Sequence, residues 1–113
     1  MADLASVNGE LMAPEQATVP IYDRGFLFGD SVYEVCRIYG GRCWLEADHL
    51  LRLKRSLKEL EFPPYDLDRL VARIYRTIRA SYVKEGLVYV QVTRGVAPRS
   101  HSFPNPPVEP TEV

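Results

Sequence analysis

The sequence predicts one α+β domain in which an antiparallel sheet packs against two helices. Strand-like alternation lies on both sides of two adjacent helical stretches, and hairpin turns join the early strands. The chain has 113 residues, which is enough for one domain with a modest core. Its composition, with 46% hydrophobic and 26% charged residues, is that of an ordinary globular protein.

Charge and hydropathy argue against two classes of partner. The formal net charge is −1, so the chain as a whole has no electrostatic attraction for nucleic acid or an anionic membrane. No apolar run is long enough to span a bilayer, and the start, Met1–Leu4, lacks the basic and apolar parts of a signal peptide. We therefore expect a cytoplasmic protein.

The first element is a β-hairpin. Asn8-Gly9 is a typical two-residue hairpin turn, and short apolar pieces lie on either side of it at Leu4–Val7 and Leu11–Ala13. After an extended lead, residues 22–31 have turn-forming residues around an apolar triplet, which predicts an irregular loop.

A strand with strict two-residue alternation follows over Val32–Tyr39. One face carries Tyr33, Val35, Arg37 and Tyr39, and the other carries Val32, Glu34, Cys36 and Ile38. The second face is apolar except for Glu34, so that carboxylate must be paired, protonated or in use. The first face fits either a small anion pocket or the solvated side of a half-buried strand.

The next turn, Gly40-Gly41, predicts a second hairpin whose return strand covers residues 42–45. In this register Cys36 pairs with Leu45. Cys36 and Cys43 then lie diagonally on one face, about 7–8 Å apart between backbones, which is too far for an unstrained disulfide. We expect both to be reduced thiols, and two cysteines alone make no zinc site.

Two amphipathic helices are predicted after this hairpin. The first begins near Glu46, with acidic residues in its first turn, and its apolar stripe is Leu50, Leu53, Leu57 and Leu60. The second begins after the N-cap Asp66 and ends at Gly86, and its apolar face is Leu67, Leu70, Val71, Ile74 and Ile78.

A valine-rich strand, Leu87–Arg94, completes the predicted sheet and leads into a loop over residues 95–104. We expect the α+β domain to cover residues 1–106. The Pro-rich residues 107–113 are predicted to begin a connection to a further domain.

Basic residues are the candidates for chemistry. Arg99 and His101, beside Arg94, are two positions apart, so both can converge on one small anion, although a solvated loop is the commoner explanation. On the first helix, Arg52 beside His49 suits a phosphate, yet such an arginine is more often solvated. A stripe on the second helix is more typical of a wet surface: Arg69, Arg73, Arg76 and Arg79.

Three motifs go further than this spacing, because together they resemble the class IV (fold-type IV) aminotransferases, which use pyridoxal 5'-phosphate. They are YDRGFLFGDSVYEV from Tyr22, HLLRL from His49 and TRGVAPRSHSFP from Thr93. The resemblance covers residues 7–104 and is greatest to the D-amino acid group of the family.

The resemblance implies roles for the candidate residues. Arg52 would bind the cofactor phosphate, with His49 beside it. Tyr33, Arg99 and His101 would hold the substrate α-carboxylate, and in the family the loop with the last two reaches in from the neighbouring subunit of a homodimer.

Three further residues would complete the pocket. Val35 and Arg37 would line it, because they share a strand face with Tyr33. Glu34 would belong to a hydrogen-bonded layer behind the pocket, which would explain a carboxylate on an apolar face.

The chain departs from the family pattern in its lysines. Transamination needs a lysine that bonds to the cofactor and moves a proton. None of Lys54, Lys58 and Lys84 matches that residue. The resemblance therefore implies an N-terminal domain without a catalytic residue of its own, and the 113-residue chain alone is expected to be inactive.

In the complete enzyme, the implied reaction exchanges an amino group between a D-amino acid of the D-alanine type and a 2-oxo acid. Branched-chain amino acid aminotransferases and aminodeoxychorismate lyase share the architecture and remain alternatives. A further alternative is a non-catalytic anion-binding or dimerisation module.

Overall fold

The structure, a computed structural model, describes residues 3–113. Residues 1 and 2, part of the start that is predicted to lack signal-peptide features, lie outside this range. The elements in chain order are β1 (Ala5–Val7), β2 (Glu10–Met12), α1 (Arg24–Phe28), β3 (Ser31–Tyr39), β4 (Arg42–Cys43), α2 (Glu46–Glu59), α3 (Leu67–Ser81), β5 (Glu85–Thr93) and β6 (Thr111–Glu112). Among the described residues, every helix is too short or too polar to cross a bilayer.

The sheet is antiparallel and has the strand order β4-β3-β5-β6, while β1 and β2 form a separate hairpin. β3 and β5 pair over their whole length, from Ser31 opposite Thr93 to Tyr39 opposite Glu85. The predicted α+β fold, an antiparallel sheet packed against two helices, is confirmed.

The core lies between one face of this sheet and the helices α2 and α3. Its buried apolar cluster is Val32, Leu53, Leu57, Leu70, Val90 and Val92. The predicted alternation of β3 is confirmed, since residues from Val32 to Ile38 alternate between buried and exposed. One face of β3 is therefore committed to the core and the other is left open.

Both predicted hairpin turns are present, with Asn8-Gly9 and Gly40-Gly41 at positive φ. The predicted return strand over 42–45 is too long, because β4 ends at Cys43. Leu45 has a φ of 55° and precedes α2 as its N-cap, so the expected pairing of Cys36 with Leu45 is wrong. Both cysteines are free thiols, as predicted.

Residues 22–31 are not the irregular loop that their turn residues predicted, because they contain helix α1. Asp23 accepts a hydrogen bond from the Gly25 N–H at 2.8 Å and so caps the start of the helix. Gly29, at a φ of 64°, ends it in the left-handed region. The turn residues are the two caps of a short helix.

The second predicted helix begins after Asp66 as expected but does not extend to Gly86. It ends at Ser81, and Tyr82, with a φ of 60°, is its C-cap. Gly86 lies in β5, which starts at Glu85. The chain therefore reaches the sheet sooner than the sequence predicted.

The segment 107–113 contains the short strand β6. Thr111 and Glu112 are buried and pair with Thr93 and Val92 at the edge of the sheet. This segment thus contributes to the described domain, and the predicted boundary after residue 106 stays a prediction.

Candidate active site

A buried carboxylate joins β3 to α2. Glu34, 4% exposed, points from the core face of β3 towards the helix. Arg52 donates to both of its oxygens, from Nε at 2.7 Å and from Nη2 at 2.8 Å, and His49 Nδ1 lies 2.8 Å from Oε1. We call these three residues the Glu34 cluster. The sequence predicted that a carboxylate on this apolar face must be paired, protonated or in use. The structure shows that Glu34 is paired.

Local structure explains why these side chains meet. Glu34 follows Val32 by two residues, so alternation directs it to the core face. His49 and Arg52 are three residues apart on α2 and share one flank of that helix. The strand and the helix thus bring both basic side chains to the same carboxylate.

Electrostatics keep Glu34 and Arg52 charged. The hydrogen bonds from Arg52 lower the pKa of Glu34 below its ordinary value, with burial opposing this effect and His49 adding to it. The same pairing raises the pKa of Arg52. The Arg52 side chain nevertheless remains 58% exposed, and its Nη1 has no hydrogen-bond partner among the described residues. A guanidinium fixed at one edge and open at the other can bind an external anion.

The open face of β3 carries the predicted pocket residues Tyr33, Val35 and Arg37. Tyr33 is 61% exposed and stacks on Tyr89 of β5, with ring centroids 5.6 Å apart. The Tyr89 hydroxyl donates to Gln91 at 2.8 Å. Tyr89 and Gln91 were not predicted as site residues, because only the register between β3 and β5 places them beside Tyr33.

The predicted loop residues Arg99 and His101 lie together over α1. The Arg99 guanidinium is 5.4 Å from the centre of the Phe28 ring, and the His101 ring centroid is also 5.4 Å from it. Both side chains are exposed. Their aromatic contacts within the described residues are with Phe28, whereas Tyr33 stacks on Tyr89.

A second carboxylate cluster, which the sequence did not predict, lies behind α1. Asp30 Oδ2 accepts a hydrogen bond from Arg24 Nε and another from Arg94 Nε, each at 2.8 Å. Both arginines are buried, at 3% and 4% exposure. We call these residues the Asp30 cluster. The sequence indicates only that Arg94 lies beside the loop with Arg99, because spacing along the chain does not show which carboxylate a distant arginine meets.

The fold and these sites define the protein class. The family model for amino-transferase class IV matches residues 31–111, and the chain belongs to this family. The D-alanine aminotransferase of Staphylococcus epidermidis is 41% identical to this chain over 105 residues. That match covers 92% of this chain and 37% of the relative, so the chain spans less than two fifths of the relative's length. The predicted family is confirmed.

Solved structures share the fold. The branched-chain amino acid aminotransferase of Escherichia coli superposes with a TM-score of 0.85 at 23% identity, covering 99% of this chain and 40% of that one. The 4-amino-4-deoxychorismate lyase of Pseudomonas aeruginosa superposes with a TM-score of 0.77 at 28% identity, covering 94% of this chain and 36% of that one. The architecture is therefore common to enzymes with different substrates.

Proposed function

We propose that this chain is the N-terminal domain of an aminotransferase that exchanges an amino group between a D-amino acid, such as D-alanine, and a 2-oxo acid. The Glu34 cluster carries this proposal, because it presents Arg52 as an anion-binding arginine in a chain that is 41% identical to a D-alanine aminotransferase. The position of Arg52 on α2 also agrees with the role that its motif implies.

The cofactor of this family is pyridoxal 5'-phosphate, and the residues of this chain fit its phosphate end. Arg52 offers an exposed guanidinium edge that Glu34 holds in place. The bonding lysine has no candidate here, because Lys54, Lys58 and Lys84 are all exposed and none matches the family position. When bound, the cofactor supplies the electron sink for amino-group transfer.

The substrate carboxylate is the second anion to be bound. We assign it to the Tyr33 phenol, the Arg99 guanidinium and the His101 imidazole, whose hydrogen-bond donors suit a carboxylate. Within one chain Arg99 and His101 contact Phe28. The resemblance to the family implies a homodimer in which the loop 95–104 reaches the partner subunit, and we propose the same arrangement here. The partner's pocket would then receive them.

Two further residues line this pocket in the proposal. Val35 and Arg37 lie on the same open face of β3 as Tyr33. The size of Val35 would limit the space available to the substrate side chain. Arg37 would add positive charge to the same face of β3, on the side of Val35 away from Tyr33. Glu34 and His49 act behind the pocket by fixing the direction of Arg52.

The cytoplasm is the compartment we propose. Cys36 and Cys43 are free thiols, which suits a reducing environment. Burial raises the pKa of Cys36 to about 12, so its thiol resists ionisation and reaction at neutral pH.

A substrate panel on the full-length enzyme tests this function. We expect amino transfer from D-alanine to a 2-oxo acid, no turnover of L-leucine and no release of pyruvate from aminodeoxychorismate. Turnover of L-leucine without D-alanine would replace the proposal with a branched-chain enzyme. Uptake of pyridoxal phosphate by the full-length protein can be monitored by its visible absorbance. If no uptake is seen, the enzyme proposal is wrong, and the non-catalytic anion-binding module is the alternative that remains.

A further inference from the structure

The loop that carries Arg99 and His101 is held from inside the fold by Arg24. Arg24 Nη1 donates a hydrogen bond to the carbonyl oxygen of Ser100 at 2.6 Å. Ser100 separates the two proposed ligands, so this bond acts on the backbone between them. Among the described residues, it is the one hydrogen bond that joins residues 98–104 to another segment of the chain.

Arg24 is itself fixed at its other edge. Its Nε donates to Asp30 Oδ2 at 2.8 Å, and the residue is 3% exposed. Its backbone N–H donates to the Gly95 carbonyl at 2.8 Å, at the start of the same loop. A planar guanidinium with several fixed partners loses little further freedom when it holds the Ser100 carbonyl.

Helix α1 also supports the two side chains directly. The guanidinium of Arg24 lies 4.8 Å from the centre of the Phe28 ring. The same ring is 5.4 Å from the Arg99 guanidinium and 5.4 Å from the His101 ring. One turn of helix therefore contacts the loop at its backbone and at both proposed ligands.

Arg94 holds the far end of the loop. Its guanidinium is 3.6 Å from the centre of the Phe103 ring, and its Nη2 donates to the Leu60 carbonyl at 2.6 Å. Asp30 accepts hydrogen bonds from both Arg24 and Arg94. This one carboxylate therefore holds both the arginine that bonds the Ser100 carbonyl and the arginine that contacts the Phe103 ring.

We propose that Arg24, held by Asp30, is a positioning residue that fixes the Ser100 carbonyl and thereby the direction in which Arg99 and His101 leave the fold. The inference rests on the proposed function, in which these two residues bind the substrate carboxylate. Arg24 touches neither substrate nor cofactor in this proposal. Its removal therefore weakens substrate binding without weakening cofactor binding.

The test uses full-length enzyme with Arg24→Met, which removes the guanidinium and keeps most of the stem. Arg24→Lys is the conservative variant, since its ammonium preserves the charge opposite Asp30 but is a compact group that lacks the two-edged fork. Arg55→Met is the control, because Arg55 is an exposed arginine on α2 with no hydrogen bond or salt bridge from its side chain among the described residues. The measurements are KM and kcat for D-alanine, the affinity for pyridoxal phosphate, and hydrogen–deuterium exchange of residues 95–104.

We expect Arg24→Met to raise KM by roughly tenfold or more, while kcat changes by less than about threefold. The affinity for pyridoxal phosphate should match that of the control. Exchange in the loop should become faster by roughly tenfold relative to any change in β3 and β5. If Arg24→Met does not fold, Arg24→Lys carries the test, with the same direction of change and a smaller size.

Two results separate failure of this inference from failure of the function. If wild-type enzyme does not act on D-alanine, the proposed function fails, and the exchange of the loop alone decides whether Arg24 positions it. If exchange and KM stay at wild-type values in both variants, the positioning role is overturned. An equal fall in cofactor affinity and substrate affinity would also overturn it, because general loss of structure would then explain both.

Discussion

The Glu34 cluster and the Asp30 cluster each join one carboxylate to two basic side chains. They differ in how many guanidinium nitrogens of Arg52 and Arg94 bond to protein oxygens and in how exposed these two side chains are. In the Asp30 cluster, Arg94 uses Nε, Nη1 and Nη2 on protein oxygens and its side chain is 5% exposed. In the Glu34 cluster, Arg52 uses Nε and Nη2 and its side chain is 58% exposed. A guanidinium with all its nitrogens used holds the fold together, whereas one with a free edge can also bind a ligand.

The largest effect should come from removing Arg94, the arginine whose three guanidinium nitrogens all bond protein oxygens. Arg94→Met leaves the Leu60 and Glu61 carbonyls without their donor and takes one partner from Asp30. Removing one member of a buried ion pair costs about 3–5 kcal/mol, so we expect a loss of that size in the free energy of unfolding. Urea denaturation followed by circular dichroism measures it, with Arg55→Met expected within about 0.5 kcal/mol of wild type. A loss below about 1 kcal/mol would show that Arg94 is not structural.

The arginine with a free edge should instead affect ligand binding. Arg52→Met removes the guanidinium that we propose binds the cofactor phosphate through charge-assisted hydrogen bonds, so we expect the affinity for pyridoxal phosphate to fall by roughly 10- to 100-fold. The measurement is a titration of the apo full-length enzyme, followed by visible absorbance. Arg55→Met, one turn further along α2, is the matched control and should bind as wild type does. Equal losses in both variants would mean that general positive charge, not the geometry set by Glu34, binds the phosphate.

The smallest effect should come from neutralising Glu34 while keeping its shape. Glu34→Gln removes the carboxylate charge and replaces one of the two oxygens that accept from Arg52 by an NH2 group, which cannot accept, and we expect about 1–2 kcal/mol less stability at pH 7. Arg52 lowers the pKa of Glu34 below its ordinary value of 4.5, so the stabilisation is present above that value and is lost as the pH falls through the folded-state pKa. The gap between wild type and variant, measured by urea denaturation, should therefore shrink below about pH 4.5. A gap that stays constant down to pH 3 would contradict this assignment.

Much of the fold could be predicted from local patterns. The alternation of β3, the Asn8-Gly9 turn and the Asp66 cap each depend on residues within one element, so the sequence contains the whole cause. Arg52 and His49 could be singled out for the same reason, because helical spacing puts them on one flank. The fit of their motif to a known family added the assignment to a phosphate.

Other features could not be predicted because their causes are distant in sequence. Asp30 meets Arg94 across 64 positions, and Arg24 meets Ser100 across 76. Strand β6 has two residues, too few for a periodic pattern, and is fixed by pairing with Val92 and Thr93. The end of α3 at Ser81 depends on the left-handed conformation of Tyr82, which an aromatic residue does not signal.

The two faces of β3 tolerate substitution to different degrees, because one is buried and the other is exposed. Exposed positions such as Val35 can change side chain without disturbing the core, so new side chains can be introduced there one residue at a time. Gain or loss of a single residue within the strand has a different result, since it would turn Glu34 outwards and Tyr33 inwards together. Descendants of this domain are therefore free to vary in composition on the exposed face of this strand but are constrained in its length.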